Sequence, residues 1–239
     1  TIDDKFYYAL GGIKAVGYEA ISNIVEERNL NGKFESINDF ITRVNPKDIN
    51  KLQLEGLVKA GCFDDFNSNR RSLFESIPNI ILENKRIHEN KEANQINLFT
   101  KDENRDEDYL IKTEDWSFDD RLSKEFETLG FFISDHPLTQ FKNIFSDYNI
   151  VNYSNFVEEK KNRNSNIAAT VLKIQEKKTQ KGTSYAIVKF SDLSSVFELF
   201  IFSDILELNR EVLKEGNSLM LTLTKTEQTS NDINKNDRI

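Results

Sequence analysis

A short glycine-containing segment near the N-terminus has the residue types of a phosphate-binding turn. Its members are Gly12, Ile13, Lys14, Ala15, Val16 and Gly17, and apolar residues at helical spacing follow it. A tight turn into a helix presents backbone N–H groups to solvent, and the positive end of the helix dipole favours an anion there. Lys14 adds a positive charge beside the turn. The segment therefore predicts a phosphate contact, with an ordinary helix-to-helix turn as the alternative.

A second turn of similar sequence lies about forty residues further along the chain. Lys59 and Gly61 stand in this turn, and Arg70 begins the arginine pair that follows it. The similar placement of Val16-Gly17 and Ala60-Gly61 indicates a weak internal duplication. A companion phosphate contact through Lys59, Gly61 and Arg70 is one expectation. A purely structural turn is the other.

Five residues in a polar and acidic stretch are candidates for a docking peptide. They are Gln95, Ile96, Asn97, Leu98 and Phe99. The stretch around them, residues 84–115, lacks a sustained apolar face, so Leu98 and Phe99 have no evident core of their own. Large apolar side chains in such a connector suit a partner's apolar pocket. The alternative is a buried turn of a neighbouring helix.

The last third of the chain changes from helical to alternating periodicity. Residues 167–175, 184–192, 196–202 and 218–226 are predicted as strands, with a helix over residues 204–214 before the last. Three strands, a helix and a strand is the order of an OB-fold, a five-stranded barrel that binds single strands and oligosaccharides. The fifth strand would fall beyond Asn236. We therefore expect an OB-fold that lacks its last strand.

Basic and aromatic residues of this strand region predict single-strand binding. Lysines near one hairpin and an aromatic residue on the next strand would hold a backbone and stack a base. The candidates are Lys177, Lys178, Lys181 and Tyr185. Some aromatics must fill the core instead, and we expect Phe190 and Phe200 to alternate inward.

The first third reads as short helices interrupted by Gly or Asn-Gly. Helices are predicted from Tyr18 to Arg28, from Ser36 to Val44 with Ser36 as N-cap, and from Ile49 to Ala60, with another beginning near Asn69. Further helices are expected over residues 118–129 and 139–145. The resulting fold class is multidomain, with an all-α domain followed by a β-barrel.

Composition narrows the class of protein. The chain has 239 residues, a net charge of −8 and one cysteine, Cys62, which excludes an internal disulfide and fits a cytoplasmic compartment. Most of the acidity lies in residues 81–128, which hold 14 acidic and 8 basic residues and so carry −6 of the total. A chain without an initial Met, ending where a strand would begin, also suggests a piece of a longer protein. No secretory leader or membrane-length apolar run is evident.

Catalytic and metal-binding patterns are absent from the sequence. His88 and His136 are far apart, and no metal-ligand spacing, P-loop or nucleophile elbow is present. We therefore expect no catalytic residue, no metal ligand and no cofactor in this segment.

Four blocks in a fixed order give the chain a resemblance to the C-terminal portion of the alpha subunit of bacterial DNA polymerase III. They are Tyr8 to Gly17, Asn50 to Asp64, Gln95 to Phe99, and Glu125 to Leu138. The first resembles a helix-hairpin-helix motif of DNA-binding proteins, and the third resembles the peptides that bind the bacterial sliding clamp. Departures are Ala15 for a glycine, Asp135 where the family often has glycine, and Cys62 for a small residue.

The resemblance implies a division of the chain and a set of partners. Residues 1–82 would form a tandem helix-hairpin-helix domain on duplex DNA, 83–117 an acidic connector with the clamp-binding peptide, 118–166 a helical linker region, and 167–239 an incomplete OB-fold near single-stranded template. The partners would be primer-template duplex, single-stranded DNA, the beta sliding clamp and other replisome subunits, without a membrane. The polymerase domain, with aspartates that bind Mg²⁺, would lie upstream.

Two other functions are compatible with the same residues. One is a protein-interaction scaffold within the replisome that contacts no DNA, which the acidic balance favours. The other is an accessory piece of a nuclease or ligase carrying such hairpins, which the four ordered blocks disfavour. DNA binding should weaken steeply with added salt, whereas a scaffold should show no DNA affinity even at low salt.

Overall fold

The computed structural model describes residues 8–92, 108–159, 164–180 and 182–225. The chain divides into two compact units, Thr1–Gly130 and Phe131–Ile239. Gln95 to Phe99 and Lys181 lie outside the described residues. Within those residues, no helix combines the length and the apolar content that a bilayer crossing requires.

The first unit is helical. Its elements are a 3-10 turn at Leu10–Gly12 and helices α1 (Tyr18–Asn31), α2 (Ile37–Arg43), α3 (Lys51–Lys59), α4 (Arg70–Glu92) and α5 (Phe118–Leu129). Ser36 caps α2 by accepting the Asp39 N–H at 3.0 Å, as predicted. Asn50 caps α3 in a capping box with Gln53. These two N-caps fix where α2 and α3 begin.

One hydrophobic core joins the helices of this unit. The buried residues come from the segment before α1, from α1 to α4 and from the end of α5, and include Ile13, Ile24, Phe40, Leu57, Leu73, Ile77 and Leu129. Phe40 stacks edge-on against Phe63, with ring centroids 5.2 Å apart. The core therefore holds the Gly12 to Gly17 turn and α5 in the same packed unit.

Helix α4 continues to Glu92, past residue 82, where the sequence predicted the end of the first domain. Asn84 is fully buried, and its amide nitrogen donates to the carbonyls of Ile41 at 2.7 Å and Val44 at 2.9 Å. These carbonyls lie at the end of α2, so α4 satisfies groups that would otherwise be buried without a donor. Residues 83–92 thus belong to the helical unit.

A polar stripe on α4 binds the segment that precedes α5. The Ser72 hydroxyl donates to the Ile111 carbonyl at 2.6 Å, and the Ile111 N–H donates to the Ser76 hydroxyl at 2.6 Å. Asn69 and Asn79 hold the carbonyls of Thr113 and Tyr109 in the same way. Because the segment and α5 pack on α3 and α4, this unit extends to Gly130, unlike the four-part division expected from the sequence.

The second unit is a four-stranded antiparallel sheet with short helices. It contains a 3-10 helix at Pro137–Ile144, α6 (Tyr153–Glu158), β1 (Asn164–Lys178), β2 (Ser184–Ser191), β3 (Val196–Phe202), α7 (Ser203–Asn209) and β4 (Ser218–Thr224). The strand order is β3-β2-β1-β4. The helix predicted over residues 139–145 is a 3-10 helix, and it begins two residues earlier, at Pro137.

The long first strand explains the shape of the sheet. It pairs with β4 along its first half and with β2 along its second, with an irregularity between Val171 and Lys173. Residues 167–172 are buried on both faces, whereas the remainder of the strand is mostly exposed. A bulged strand shared by two partners curls a sheet into a half-barrel. The predicted fold class, a helical domain followed by an OB-like sheet without its last strand, is confirmed for the described residues.

Candidate nucleic-acid interface

The predicted phosphate-binding turn contains one residue, Ala15, with a left-handed backbone conformation. Ala15 has φ of 63°, a conformation that non-glycine residues rarely adopt. The Val16 N–H donates to the Ile13 carbonyl at 3.2 Å, and both side chains are buried. A Cβ at Gly56 on α3 would lie 3.0 Å from the Lys14 carbonyl oxygen, so a larger residue there would crowd the hairpin. The hairpin is therefore fixed tightly to α3.

Helix α1 begins directly after the hairpin. Gly17 is the N-cap, and it provides no side-chain acceptor for the amides of the first turn. Those amides have no intrahelical acceptor in any helix. Tyr18, the first helical residue, is 82% exposed. This helix start can therefore accept an anion from solvent.

Charged and polar residues line a groove next to Gly17. Lys47 is exposed there, and the acidic side chains of Glu19 and Asp48 line the same groove. Asp48 accepts a hydrogen bond of 2.7 Å from the Asn23 amide. Lys47 was not predicted as a site residue, and only folding brings it to Gly17. One cation against two acids makes this side of the hairpin only weakly attractive to phosphate.

Lys14 lies on the other side of the hairpin and contacts α5. Its ammonium group donates to the Glu127 carbonyl at 2.7 Å, and its backbone N–H donates to the Thr128 carbonyl at 3.2 Å. Cations near a helix C-terminus are favoured by the dipole and by the unpaired carbonyls. Lys14 thus holds the hairpin to α5 while remaining exposed.

The second turn is a helix stop. Gly61 has φ of 77°, and the N–H groups of Gly61 and Cys62 donate to the carbonyls of Val58 and Leu57 at 3.0 Å. This pattern is the Schellman motif that ends a helix. Lys59, just before it, pairs with Glu127 at 3.2 Å. The turn ends α3, and α4 begins only at Arg70.

Arg70 does not lie at the surface as a phosphate contact would require. It is 3% exposed, and its guanidinium pairs with Asp64 at 2.7 Å and Glu125 at 3.2 Å. A Cβ at Gly61 would lie 2.1 Å from a guanidinium nitrogen, so the turn closes directly over it. The structure therefore places Arg70 in the interior, where its charge is compensated by two carboxylates.

The outer face of the sheet carries rows of cross-strand neighbours. Tyr185 on β2 lies between Lys177 on β1 and Phe202 on β3. Two residues further along these strands and on the same face, Phe200 is paired with Ile187. Phe200 is 59% exposed and Phe202 69% exposed, while Tyr185 is half-buried. Lys177 and Lys178 are exposed near the end of β1.

The predicted inward orientation of Phe200 is wrong, and that of Phe190 is confirmed. Phe190 is fully buried and stacks on Phe197, with centroids 5.6 Å apart. On β3 the inward residues are Phe197 and Leu199. Glu198 was the available signal, because a lone carboxylate belongs on the solvent face and residues two apart share a face. Phe200 therefore joins Tyr185 on the open side.

His136, a candidate for chemistry outside the two surfaces above, makes structural hydrogen bonds instead. The Leu138 N–H donates to His136 Nδ1 at 3.2 Å, so Nε2 carries the proton and donates to the Ser191 hydroxyl at 3.1 Å. Burial lowers the pKa of His136, although Asp192 and Asp135 act in the opposite direction. Among the residues that the structure describes, no group of three or more His, Cys, Asp or Glu could hold a metal ion.

Comparisons with known proteins agree with the hairpin geometry and the ordered blocks. A family model described as "Helix-hairpin-helix motif" matches residues 1–73. The DNA polymerase III subunit alpha of Rickettsia prowazekii (strain Madrid E) is 37% identical over 215 residues, which are 89% of this chain and 18% of that protein. The corresponding values are 32% over 222 residues, 90% and 19% for the protein of that name from Borreliella burgdorferi, and 25% over 227 residues, 93% and 20% for that from Vibrio cholerae.

These matches confirm the resemblance that the four blocks predicted. The similarity extends over both compact units of the chain rather than over the helical unit alone. The chain spans about a fifth of the length of the curated relatives it matches.

Proposed function

We propose that this chain is a non-catalytic DNA- and clamp-binding region of a replicative DNA polymerase. The observation that carries the proposal is the match at 37% identity over 89% of the chain to a DNA polymerase III subunit alpha. The helix-hairpin-helix match over residues 1–73 supports DNA as the ligand of the first unit. The polymerase activity, with its Mg²⁺, would belong to other parts of such a protein.

Duplex DNA would be held through its backbone by the first hairpin. A phosphate at the start of α1 would accept hydrogen bonds from the first-turn amides beyond Gly17, aided by the helix dipole. Gly12, Ile13, Ala15 and Val16 would shape the hairpin, and Lys14 and Lys59 would supply charge. Backbone contacts carry no base information, so binding would be independent of sequence.

Single-stranded template would lie on the outer face of the sheet. Tyr185, Phe200 and Phe202 offer exposed or half-exposed rings on adjacent strands, and Lys177 pairs with Tyr185 across the sheet. Stacking on aromatic side chains combined with lysines is how OB-folds hold single strands without sequence preference. Lys178 and Lys181 would extend the basic edge.

The sliding clamp would bind the peptide from Gln95 to Phe99. The support for this partner is the sequence itself, since Leu98 and Phe99 are large apolar residues in a stretch rich in charge. Leu98 and Phe99 would fill an apolar pocket on the clamp, and Gln95 would fix the register by hydrogen bonding.

A second candidate is a scaffold that contacts only other proteins. An apolar groove in the second unit favours it: Leu138, Phe141, Ile144, Tyr148 and Met220 line the groove between the 3-10 helix and β4. Met220 is 55% exposed and Phe141 40% exposed. Such a surface suits a protein partner and makes no use of phosphate.

The test that separates the two candidates is a Gly17→Asp variant. Aspartate is a good N-cap, so the variant should keep or slightly raise the thermal midpoint. Its carboxylate would occupy the first-turn amides and repel phosphate, so duplex affinity should fall. Fluorescence anisotropy with a labelled duplex across a salt series measures this, and wild-type affinity should decrease steeply with salt.

Gly17→Asn is the matched control, because it caps the helix without adding charge. It should weaken duplex binding less than Gly17→Asp does. An unchanged duplex affinity in Gly17→Asp would contradict the role of this hairpin. Absence of duplex binding by the wild-type chain at low salt would favour the scaffold.

A further inference from the structure

Two lysines that are distant in sequence meet on one glutamate. Lys14 donates to the backbone carbonyl of Glu127 at 2.7 Å, and Lys59 donates to both carboxylate oxygens of Glu127 at 3.3 Å and 3.2 Å. Lys14 comes from the first hairpin and Lys59 from the end of α3. Both turns predicted to contact phosphate therefore direct an ammonium group to the same place.

A third lysine lies beside the same glutamate. Lys124 precedes Glu127 by three residues on α5, so the two are neighbours on the helix surface. The ammonium groups of Lys59 and Lys124 lie 5.6 Å and 5.9 Å from the ring centroid of Phe74, and Lys124 lies 5.0 Å from that of Trp116. We term Lys14, Lys59 and Lys124 the lysine cluster: Lys59 binds the Glu127 carboxylate, Lys14 binds the backbone carbonyl of the same residue, and Lys124 lies one turn away on α5.

The Glu127 carboxylate is held only weakly by Lys59. The Glu127 side chain is 64% exposed, while that of Lys59 is 16% exposed. An ion pair with one partner in water contributes little to stability, because solvent screens it. Lys14 is also held by the Glu127 backbone carbonyl, and Lys59 and Lys124 also lie against the Phe74 ring, so these contacts remain when the Glu127 charge is removed.

We propose that the Glu127 carboxylate occupies the place of a DNA backbone phosphate, and that a phosphate displaces it when duplex binds. The proposal rests on the proposed function, since it names a contact of the same duplex-binding unit. The competing account is structural: the lysines would only stabilise the C-terminal end of α5, where the dipole favours cations. The two accounts predict opposite effects of removing the Glu127 charge.

The experiment measures duplex affinity of Glu127→Gln by fluorescence anisotropy at low salt. Glutamine keeps the size of the side chain, and the Lys14 contact is to the backbone carbonyl, so it is retained. We expect the duplex affinity to become about three- to fivefold tighter, because the Glu127 carboxylate no longer competes with phosphate for Lys59. Glu89→Gln on α4 is the control, since it makes the same charge change at an exposed position outside the lysine cluster.

A gain in Glu127→Gln that exceeds the gain in Glu89→Gln supports the proposal. Equal gains would reduce it to a general charge effect and overturn it. A loss of affinity in Glu127→Gln would establish the structural account instead.

A second measurement covers the case in which no variant binds duplex. The thermal midpoint is recorded in inorganic phosphate and in chloride at matched ionic strength. A phosphate-dependent rise in Glu127→Gln that Glu127→Gln/Lys59→Ala lacks would keep the anion site while the duplex-binding proposal fails. Without such a rise, both proposals fail.

Discussion

Arg70 and Glu125 form an ion pair in the interior of the helical unit. Arg70 Nη1 lies 3.2 Å from Glu125 Oε1, and Glu125 is fully buried. The same guanidinium binds Asp64 at 2.7 Å, and Asp64 accepts a second guanidinium, that of Arg121, at 2.9 Å. The network joins the start of α4, the turn after α3 and α5. The network therefore fixes α5, and α5 in turn accepts the hydrogen bonds of Lys14 from the first hairpin.

Arg70→Met should strongly destabilise the helical unit. The variant leaves Glu125 buried with its main cation removed, and breaking a buried pair from one side costs about 3–5 kcal/mol. Urea unfolding monitored by circular dichroism measures the loss. Arg86→Met is the control, because Arg86 and its partner Glu83 are partly exposed and their loss should cost less than about 1 kcal/mol. Similar small losses in both variants would contradict a structural role for Arg70.

Local sequence signals predicted the elements well and their mutual contacts poorly. Helix α5 was predicted over its observed bounds, and Ser36 caps α2 as expected. The meeting of Lys14 and Lys59 on Glu127 depends on the packing of α5, which no local pattern encodes. The burial of Arg70 has the same origin, because its partner Glu125 is 55 residues away.

Other misses had a signal that could have been used. Ser72, Ser76 and Asn79 recur at helical spacing on α4, and that polar stripe marks the face that binds residues 109–113. Glu198 fixed the orientation of β3 and hence of Phe200. The helix predicted after Pro137 proved to be a 3-10 helix, a distinction in hydrogen-bond spacing that side-chain patterns barely show.

Ala15→Gly should stabilise the first hairpin. Ala15 has φ of 63°, where a Cβ is unfavourable by roughly 1–2 kcal/mol, and glycine gives back about 0.5–1 kcal/mol through the entropy of the unfolded chain. The net gain in unfolding free energy should lie between about 0 and about 1.5 kcal/mol. Ala9→Gly is the control, because Ala9 has φ of −72° and only the entropy loss applies. If both variants lose stability equally, the strain at Ala15 is not real.

The stability of the second unit should fall in mild acid because of His136. Burial lowers its pKa below the ordinary value of 6.5, so the unfolded chain binds the proton more readily than the folded chain does. Stability is therefore lost as the pH falls through 6.5 towards the lowered pKa. His136→Asn keeps an acceptor for the Leu138 N–H but does not titrate. The thermal midpoint of this variant should therefore change less than that of the wild type between about pH 7 and about pH 5.

Asp192 should contribute to the stability of the second unit in a separate and more acidic pH range. Burial by itself would raise its pKa, but hydrogen bonds from the N–H groups of Tyr153, Ser194 and Ser195 and from the Ser194 hydroxyl outweigh it, and the pKa is lowered. Its contribution is present above the ordinary value of 3.8 and is lost as the pH falls below it. A mild-acid transition that persists unchanged in His136→Asn would contradict the assignment to His136.

Phe200→Ala should weaken binding of single-stranded DNA while leaving stability nearly unchanged. Its ring is 59% exposed on the open face of the sheet, and a stacked base contributes about 1–3 kcal/mol. Val196→Ala is the control, since Val196 is exposed on the same strand and the same face but has no ring. Affinity for a labelled oligothymidine by anisotropy tests this, and equal effects of the two variants would exclude stacking at Phe200.

The clamp-binding peptide should be separable from folding. Leu98→Ala combined with Phe99→Ala removes both apolar anchors and should lower affinity for a bacterial sliding clamp by about 2–4 kcal/mol, as truncation of interface hot spots does. The thermal midpoint should not change, because only the complex loses burial. Thr100→Ala with Lys101→Ala is the adjacent control and should leave clamp affinity intact. A lowered midpoint with unchanged clamp affinity would mean that Leu98 and Phe99 pack within this chain instead of on the clamp.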